Sequence, residues 1–295
     1  MEKPLVSVII ATYNREKYIG QAIKSVLNQT YKNREVIIVD DSSTSKTQDI
    51  VSEIDQRDTR IVHIKNKNRI GFVKSLNKGI RMAEGKYIAR LDDDDFWCDP
   101  QKLEKQVRFL EEHPDYVLVG GGAIVLDEEG KECFRVLLPE TDEEIRRLML
   151  FDCLFPHSTV VFRRDIWKIV GGYNGREGIK GVGSSEDWDL WLRFGEFGKF
   201  YNFQEYFLYY LQGKQNDRPR YIIQQNFRFN LKLRKKYRNL YPNFWKAYLF
   251  GLASYFYSFF PFQKWLRPVM PKLKNMFLHY QIYQKTQKDD KRERN

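Results

Sequence analysis

Between Leu5 and Asp92 the chain alternates short β-branched runs with amphipathic runs, and no other feature limits its fold as strongly. "LVSVIIAT" (5–12) is almost continuously apolar, as a strand buried on both faces must be. "YIGQAIKSVLNQ" (18–29) then places Ile19, Ala22, Ile23, Val26 and Leu27 at helical spacing. "EVIIVDD", "SKTQDIVSEID", "RIVHIKN", "GFVKSLNKGIRMAEG" and "KYIARLD" continue as strand, helix, strand, helix, strand. This order predicts an α/β fold: a mostly parallel sheet flanked by helices. Ligands of such sheets bind beyond the carboxyl ends of the strands. Three of those ends carry polar clusters: Thr12-Tyr13-Asn14-Arg15, Asp40-Asp41-Ser42-Ser43, and the four carboxylates Asp92 to Asp95.

The pattern changes after "PQKLEKQVRFLEEH", a helix opened by Pro100. "DYVLVGGGAIVLDEEGKECFRVLLP" alternates and turns at Glu129-Gly130, which predicts a hairpin. "DEEIRRLMLF" reads as a helix and "STVVFRRDIWKIV" as a strand running into a helix. The glycine-rich stretch 171–187 is too glycine-laden to pack and reads as a mobile loop. "EDWDLWLRFGEFG" restores helical spacing, with Trp188 and Trp191 at core positions.

Charge divides the chain more sharply than its net +11 implies. From Gln212 onward the balance is +15, whereas residues 1–211 carry −4, so the whole-chain excess is no nucleic-acid signature. The expected organisation is one body over 1–211, in two halves that divide at about residue 115. A basic, aromatic helical extension over 212–295 follows. Its uncharged run between Lys246 and Lys264, 17 residues, is short of the ~20 needed to span a bilayer. Two readings stand for the extension: helices packed on the body, or an interfacial surface on anionic lipid at the inner face of the cytoplasmic membrane. The N-terminal run reads as a first strand and not as a signal peptide, which predicts a cytoplasmic chain. Cys98, Cys133 and Cys153 stand far apart, without the spacing of a zinc site or a disulfide framework.

Four adjacent carboxylates repel one another unless a cation neutralises them. Aspartates without histidine or cysteine nearby select a hard ion, Mg²⁺ or Mn²⁺, which typically bridges one or two carboxylates to substrate phosphates. Neither a Walker A sequence nor a GxGxxG occurs, so the metal must organise the diphosphate.

Five motifs, "VSVIIATYNRE", "EVIIVDDSS", "NRIGFVKSLNKGI", "GKYIARLDDDD" and "SSEDWDLWLR", stand in the order and at the spacing of the family-2 inverting glycosyltransferases, which have the GT-A fold. The resemblance covers about residues 4 to 210. It implies that Thr12, Tyr13 and Arg15 form the first nucleotide-binding loop, with Tyr13 stacked on the base, and that Asp41 hydrogen-bonds the base. It implies a diphosphate contact for Lys74, although a solvated helix lysine is an equal reading. Asp92-Asp93-Asp94 corresponds to the family's DxD, with Asp92 toward the ribose and Asp94 toward the cation; both are metal candidates. Asp95 stands behind the motif or faces the acceptor, and Glu186 and His157 are further acceptor-side candidates. Asp187, in the position of the "ED" motif, is implied to be the general base. The implied partners are a nucleotide-diphosphate sugar and a saccharide or lipid-linked acceptor, as in cell-surface polysaccharide synthesis, with no nucleic acid.

The sequence departs from the family where many members carry a "YRxH"-like segment. "YYLQGKQND" has Leu211 at the arginine position and no histidine, leaving Lys214 or Arg218 as substitutes. Gly120 to Gly122 mark either close approach of a sugar or a strand irregularity. Two alternatives remain, a non-catalytic scaffold of the same fold and a sugar-phosphate nucleotidyltransferase. The intact acidic motifs speak against the first, and the absence of glycine in "ATYNRE" against the second.

Overall fold

The computed structural model describes residues 3–43, 46–55, 58–174, 185–212, 220–259 and 281–283. The glycine-rich segment 175–184 and the substitute cations Lys214 and Arg218 lie outside them. At the centre of the sheet is β1 (Val6–Thr12), all seven of whose residues are buried. Beside it run β2 (Arg34–Asp40), β3 (Ile61–Lys65) and β4 (Tyr87–Arg90), parallel and in the order β4-β1-β2-β3. Successive side chains point to opposite faces. Ile9, Ala11, Ile37 and Val39 therefore join one core, while Val8, Ile10, Val36 and Ile38 join another. α1 (Ile19–Leu27) and α2 (Lys46–Asp55) cover the second face, and α3 (Phe72–Met82) covers the first through Leu76 and Ile80.

The strand order reverses between β1 and β4, since the chain leaves β1 toward β2 and β3 and returns as β4 on the other side. The loops that follow β1 and β4 consequently diverge and open a crevice at the strands' carboxyl ends.

Beyond β4 the sheet becomes mixed. β8 (Val161–Arg163) pairs antiparallel with both β4 and β6 (Tyr116–Leu126). On β6 lie β7 (Glu132–Leu137), antiparallel, and β9 (Lys199–Leu211), parallel. Two-residue β5 (Phe96–Trp97), directly after the carboxylate run, pairs with β9, and β10 (Gln281–Tyr283) with β7. The predicted turn at 129–130 is present, with Gly130 at φ 80° and the Asp127 carboxylate accepting from the Glu129 and Lys131 amides. Gly120 to Gly122 mark a strand irregularity: the β6–β9 register shifts there. A Cβ on Gly120 would lie 2.3 Å from Asn202 Oδ1, and one on Gly121 2.4 Å from the Phe207 ring. They leave room for β9 side chains and do not face an open subsite.

The helices of the second half build the larger core. α4 (Lys102–Glu112) packs through Leu103, Val107 and Leu110. α5 (Asp142–Leu148) starts at a capping box made by Thr141 and Glu144, and α6 (Arg164–Val170) stops at Gly171, φ 83°. α7 (Glu186–Phe194) buries Trp188 and Trp191, the latter among Phe155, His157, Phe162 and Tyr173. α8 (Arg220–Lys236) and α9 (Phe244–Tyr257) pack onto this assembly. Arg234 is buried and donates to the carbonyls of Leu150 (2.8 Å) and Phe151 (3.1 Å), and the Tyr241 hydroxyl donates to Leu192 O (3.0 Å). The packed reading of the extension thus describes α8 and the inner side of α9. Among the described residues no helix is long and apolar enough to cross a membrane.

Candidate active site

The crevice between β1 and β4 holds a cleft of about 440 Å³. Thr12, Tyr13 and Arg15 enter it from the β1 loop, Asp41 from the end of β2, Arg69, Phe72 and Ser75 from the start of α3, and Asp92 to Asp94 from the β4 loop. Three sequence clusters that stand far apart in the chain are therefore gathered at one place.

Asp41 shapes one wall. Its carboxylate accepts from the amides of Ile70 (2.8 Å) and Gly71 (2.7 Å) and from Asn66 Nδ2 (3.1 Å). Gly71 enters α3 at φ 91°, a conformation that favours glycine. The segment so held presents Arg69, whose guanidinium stands 4.0 Å over the Tyr13 ring. Arg69 is the basic residue on this wall, whereas Lys74 does not line the cleft. The helical turn that points Phe72 and Ser75 into the cleft leaves Lys74 on the exposed side of α3.

The acidic loop is organised from behind by Arg90. This residue is fully buried at the end of β4, donates to Ile9 O (2.9 Å) and Leu91 O, and pairs with the Asp92 carboxylate. Burial acts most strongly on Asp92 and raises its pKa, but the Arg90 and His157 charges and the hydrogen bonds from Ser158 and Arg90 together outweigh it and hold the carboxyl below its ordinary value. Asp93 accepts from the Tyr13 amide (3.2 Å) and lies 3.8 Å from Arg15. Burial and then the Asp94 charge push Asp93 up to about 7. Burial and Asp92 raise Asp94 as well, although Arg15 Nη2 stands 3.2 Å from it. Asp95 is 2% exposed and is raised by burial and by Asp92. Its oxygens accept from Ser158 Oγ (2.5 Å) and the Leu211 amide (3.4 Å). It stands behind the loop, as one of its two expected placements has it.

Oxygen-only donors fit Mg²⁺ or Mn²⁺, and two neighbouring carboxyls with raised pKa values are what a divalent ion relieves. Among the described residues no group of three or more His, Cys, Asp or Glu is gathered to hold an ion. The site thus fits an ion that takes one or two carboxylates and completes its shell from substrate and water.

Asp187 lies in the first turn of α7, after Ser185 at φ 54°. Its Oδ1 accepts from the Trp188 amide (2.7 Å) and its Oδ2 from the Cys153 thiol (3.6 Å). Burial and the Glu186 charge push its pKa up to about 7, and Asp92 adds to the rise, so the base candidate and the acidic loop feel each other. Glu186 is buried, and its charge adds to the rise of Asp187. His157 is half-buried, its Nε2 lies 2.8 Å from the Tyr173 hydroxyl and its ring packs on Trp191. Burial and Arg90 press its pKa down to about 3. Both stay acceptor-side candidates by sequence position.

Arg69, Arg90 and Ser158 were not expected from the sequence. Arg90 left the clearest signal, a lone charge inside "YIARL" directly before the carboxylates.

The sequence pattern of Glycosyl transferase family 2 matches residues 7–169, more than half of the chain. The putative glycosyltransferase EpsE of Bacillus subtilis is 41% identical over 192 residues, 65% of this chain and 66% of that relative, so the match spans just under two thirds of its length. An Escherichia coli relative, UDP-Glc:alpha-D-GlcNAc-diphosphoundecaprenol beta-1,3-glucosyltransferase WfaP, is 47% identical over 107 residues, 36% of this chain and 41% of that one. The structure of mannosyltransferase PcManGT from Pyrobaculum calidifontis, in complex with GDP-Man and Mn²⁺, superposes with a TM-score of 0.59 at 16% identity, covering 86% of this chain and 74% of that one. That likeness establishes the shared fold, which is GT-A. With the fold, the ordered motifs and the family match in agreement, this chain belongs to glycosyl transferase family 2.

Proposed function

We propose that the chain transfers a sugar, with inversion, from a nucleotide-diphosphate donor to a saccharide or lipid-linked acceptor in the synthesis of a cell-surface glycan. The observation that carries this reading is the cleft at the strand-order reversal, where Tyr13, Asp41 and the Asp92–Asp94 loop converge, with Asp92 in electrostatic range of the Asp187 carboxyl poised near neutrality. The diphosphoundecaprenol-linked acceptor in the name of the E. coli relative, and the GDP-Man and Mn²⁺ of the Pyrobaculum complex, support it.

In this reading the base of the nucleotide stacks on Tyr13 and meets Asp41 at the inner wall. Asp94 would hold the divalent ion, with Asp92 the weaker candidate because Arg90 already engages its carboxylate. When bound, the ion would supply charge neutralisation for the departing diphosphate. Arg15, 3.2 Å from Asp94 and 3.8 Å from Asp93, stands at the rim of the same cleft as a further cation for the diphosphate. Asp187 takes the proton of the acceptor hydroxyl while the hydroxyl oxygen bonds to the anomeric carbon and the bond to the diphosphate oxygen breaks on the opposite side.

A panel of UDP-, GDP- and dTDP-sugars with and without Mn²⁺ tests the proposal. At least one donor is expected to raise the melting temperature in an Mn²⁺-dependent way, because a ligand that binds only the native state stabilises it. Asp94→Ala should remove that shift. Asp187→Asn should keep it but lose transfer. A panel without any metal-dependent shift or hydrolysis sinks the proposal.

A further inference from the structure

Apart from Lys246 and Ser254, α9 is built of apolar and aromatic residues, which is unusual for a helix at the surface of a body. Its inner side is accounted for: Ala247 is fully buried, Phe250 packs against Phe151, and Gly251 lies against the Arg234 guanidinium. Its outer side is not. Trp245, Leu249, Ala253 and Phe256 follow one another at spacings that form a single stripe, and all are exposed. The three large ones are 71%, 61% and 68% exposed. Single exposed apolar residues need no explanation, but a stripe of them marks a contact surface.

The exposed charges on α9, on the packed helix α8 and on the turn between them are all of one sign. Lys246 on α9 and Lys232, Lys235, Lys236 and Arg238 on α8 and the turn after it are exposed, and Lys235 lies 5.9 Å from the Tyr248 ring. No Asp or Glu occurs between Arg218 and Lys288. The partner must therefore be apolar under the stripe and negative beside it. A second copy of this chain would bring the same positive charges, whereas an anionic lipid surface supplies both features.

We propose that α9 lies in the headgroup layer of an anionic membrane, with Trp245, Leu249 and Phe256 inserted and the surrounding lysines on lipid phosphates. The buried Arg234 that underlies Gly251 also holds the Leu150 and Phe151 carbonyls and stands over Trp188, next to Asp187. The membrane face and the candidate base are thus joined through one side chain. The proposal gains purpose from the transferase reading with a lipid-linked acceptor, but its test needs no turnover and can fail separately.

The test is flotation of the full chain with phosphatidylcholine vesicles, with and without phosphatidylglycerol. Binding is expected only with the anionic lipid and should weaken with salt. The triple variant Trp245→Ser, Leu249→Ser, Phe256→Ser should bind at least about tenfold more weakly, since each change removes buried apolar area. Lys232→Gln with Lys235→Gln and Lys236→Gln should reduce both binding and its salt dependence while leaving the apolar stripe intact. Unchanged circular dichroism and donor-induced thermal shift would show that the variants fold. Equal binding to neutral vesicles overturns the proposal. So do full binding by both variants, binding to polyglutamate but not to vesicles, and a dimer in solution that the triple variant dissolves.

Discussion

Asp187 carries the chemistry of the proposed reaction, and its surroundings fix the pH at which it acts. A base must be ionised before it can accept a proton, and this carboxyl is pushed up to about 7 by burial and by Glu186. The acid limb of kcat/KM is therefore expected near pH 7, rising about tenfold per pH unit below it and levelling above it. The Cys153 thiol donates to the ionised form and works against the rise. Cys153→Ala should consequently move the limb to higher pH while transfer persists, and Asp187→Asn should lower kcat by about a hundred- to ten-thousandfold without weakening donor binding. A limb that stays in place in Cys153→Ala would remove the thiol from this account. Arg90 and Asp92 show a different balance, in which a buried guanidinium, with help from Ser158, keeps a half-buried carboxylate charged. Sequence position alone does not reveal such pairs, because they depend on which side chains are brought together. Tyr13, Asp41 and Asp92 to Asp94 were legible because each sits at or just beyond a strand end, where the fold class already places the ligand. Lys74 stayed open between two readings because a motif position does not specify which way a helix faces.

The elements divide in the same way. β1 to β4 and their helices follow from hydrophobic period, because β1, β2 and β4 are buried almost throughout and each helix on one face, while β3 at the sheet edge keeps Val62 exposed. The later strands do not, since the insertion of β8 between β4 and β6 is decided by which strand pairs with the edge of β4, a choice that hydrophobic period does not make. α9 was ambiguous for a physical reason: a helix apolar on almost every side gives little period from which to choose a buried face. The β6–β9 pair offers a direct test of element packing. Gly121 faces the Phe207 ring so closely that an added Cβ would sit 2.4 Å from it, and the ring is fully buried. Gly121→Ala is expected to destabilise the fold by about 1–3 kcal/mol through overpacking. A urea midpoint that falls while the slope stays constant would bear this out, whereas an unchanged midpoint would mean that β9 shifts freely.

At the scale of the whole molecule, the acidic loop trades stability for a binding site. Asp93 has its folded-state pKa raised to about 7 by burial and Asp94, against about 3.9 in an unfolded chain. The native state therefore holds a proton that the unfolded state has lost between these values. Stability from this group is present in full below about pH 4, falls as pH rises toward 7, and stays low above it. His157 works in the opposite direction, because its folded pKa of about 3 lies below the unfolded value, so its contribution is lost as pH falls from about 6.5 toward 3. Total stability mixes these groups, and comparison with a single variant separates them. Asp93→Asn should match the native chain near pH 4 and become more stable than it as pH rises to 7.5, by a few kcal/mol at about 1.4 kcal/mol per pKa unit. Mn²⁺ with a nucleoside diphosphate should reverse the order at pH 7.5, since the ligands stabilise the ionised loop of the native chain and the variant has one charge fewer to offer. Chemical denaturation at the two pH values, with and without Mn²⁺ and nucleotide, measures both effects. A stability difference that does not change with pH would mean that Asp93 is ionised throughout, and the loop would then have to be neutralised by Arg15 alone.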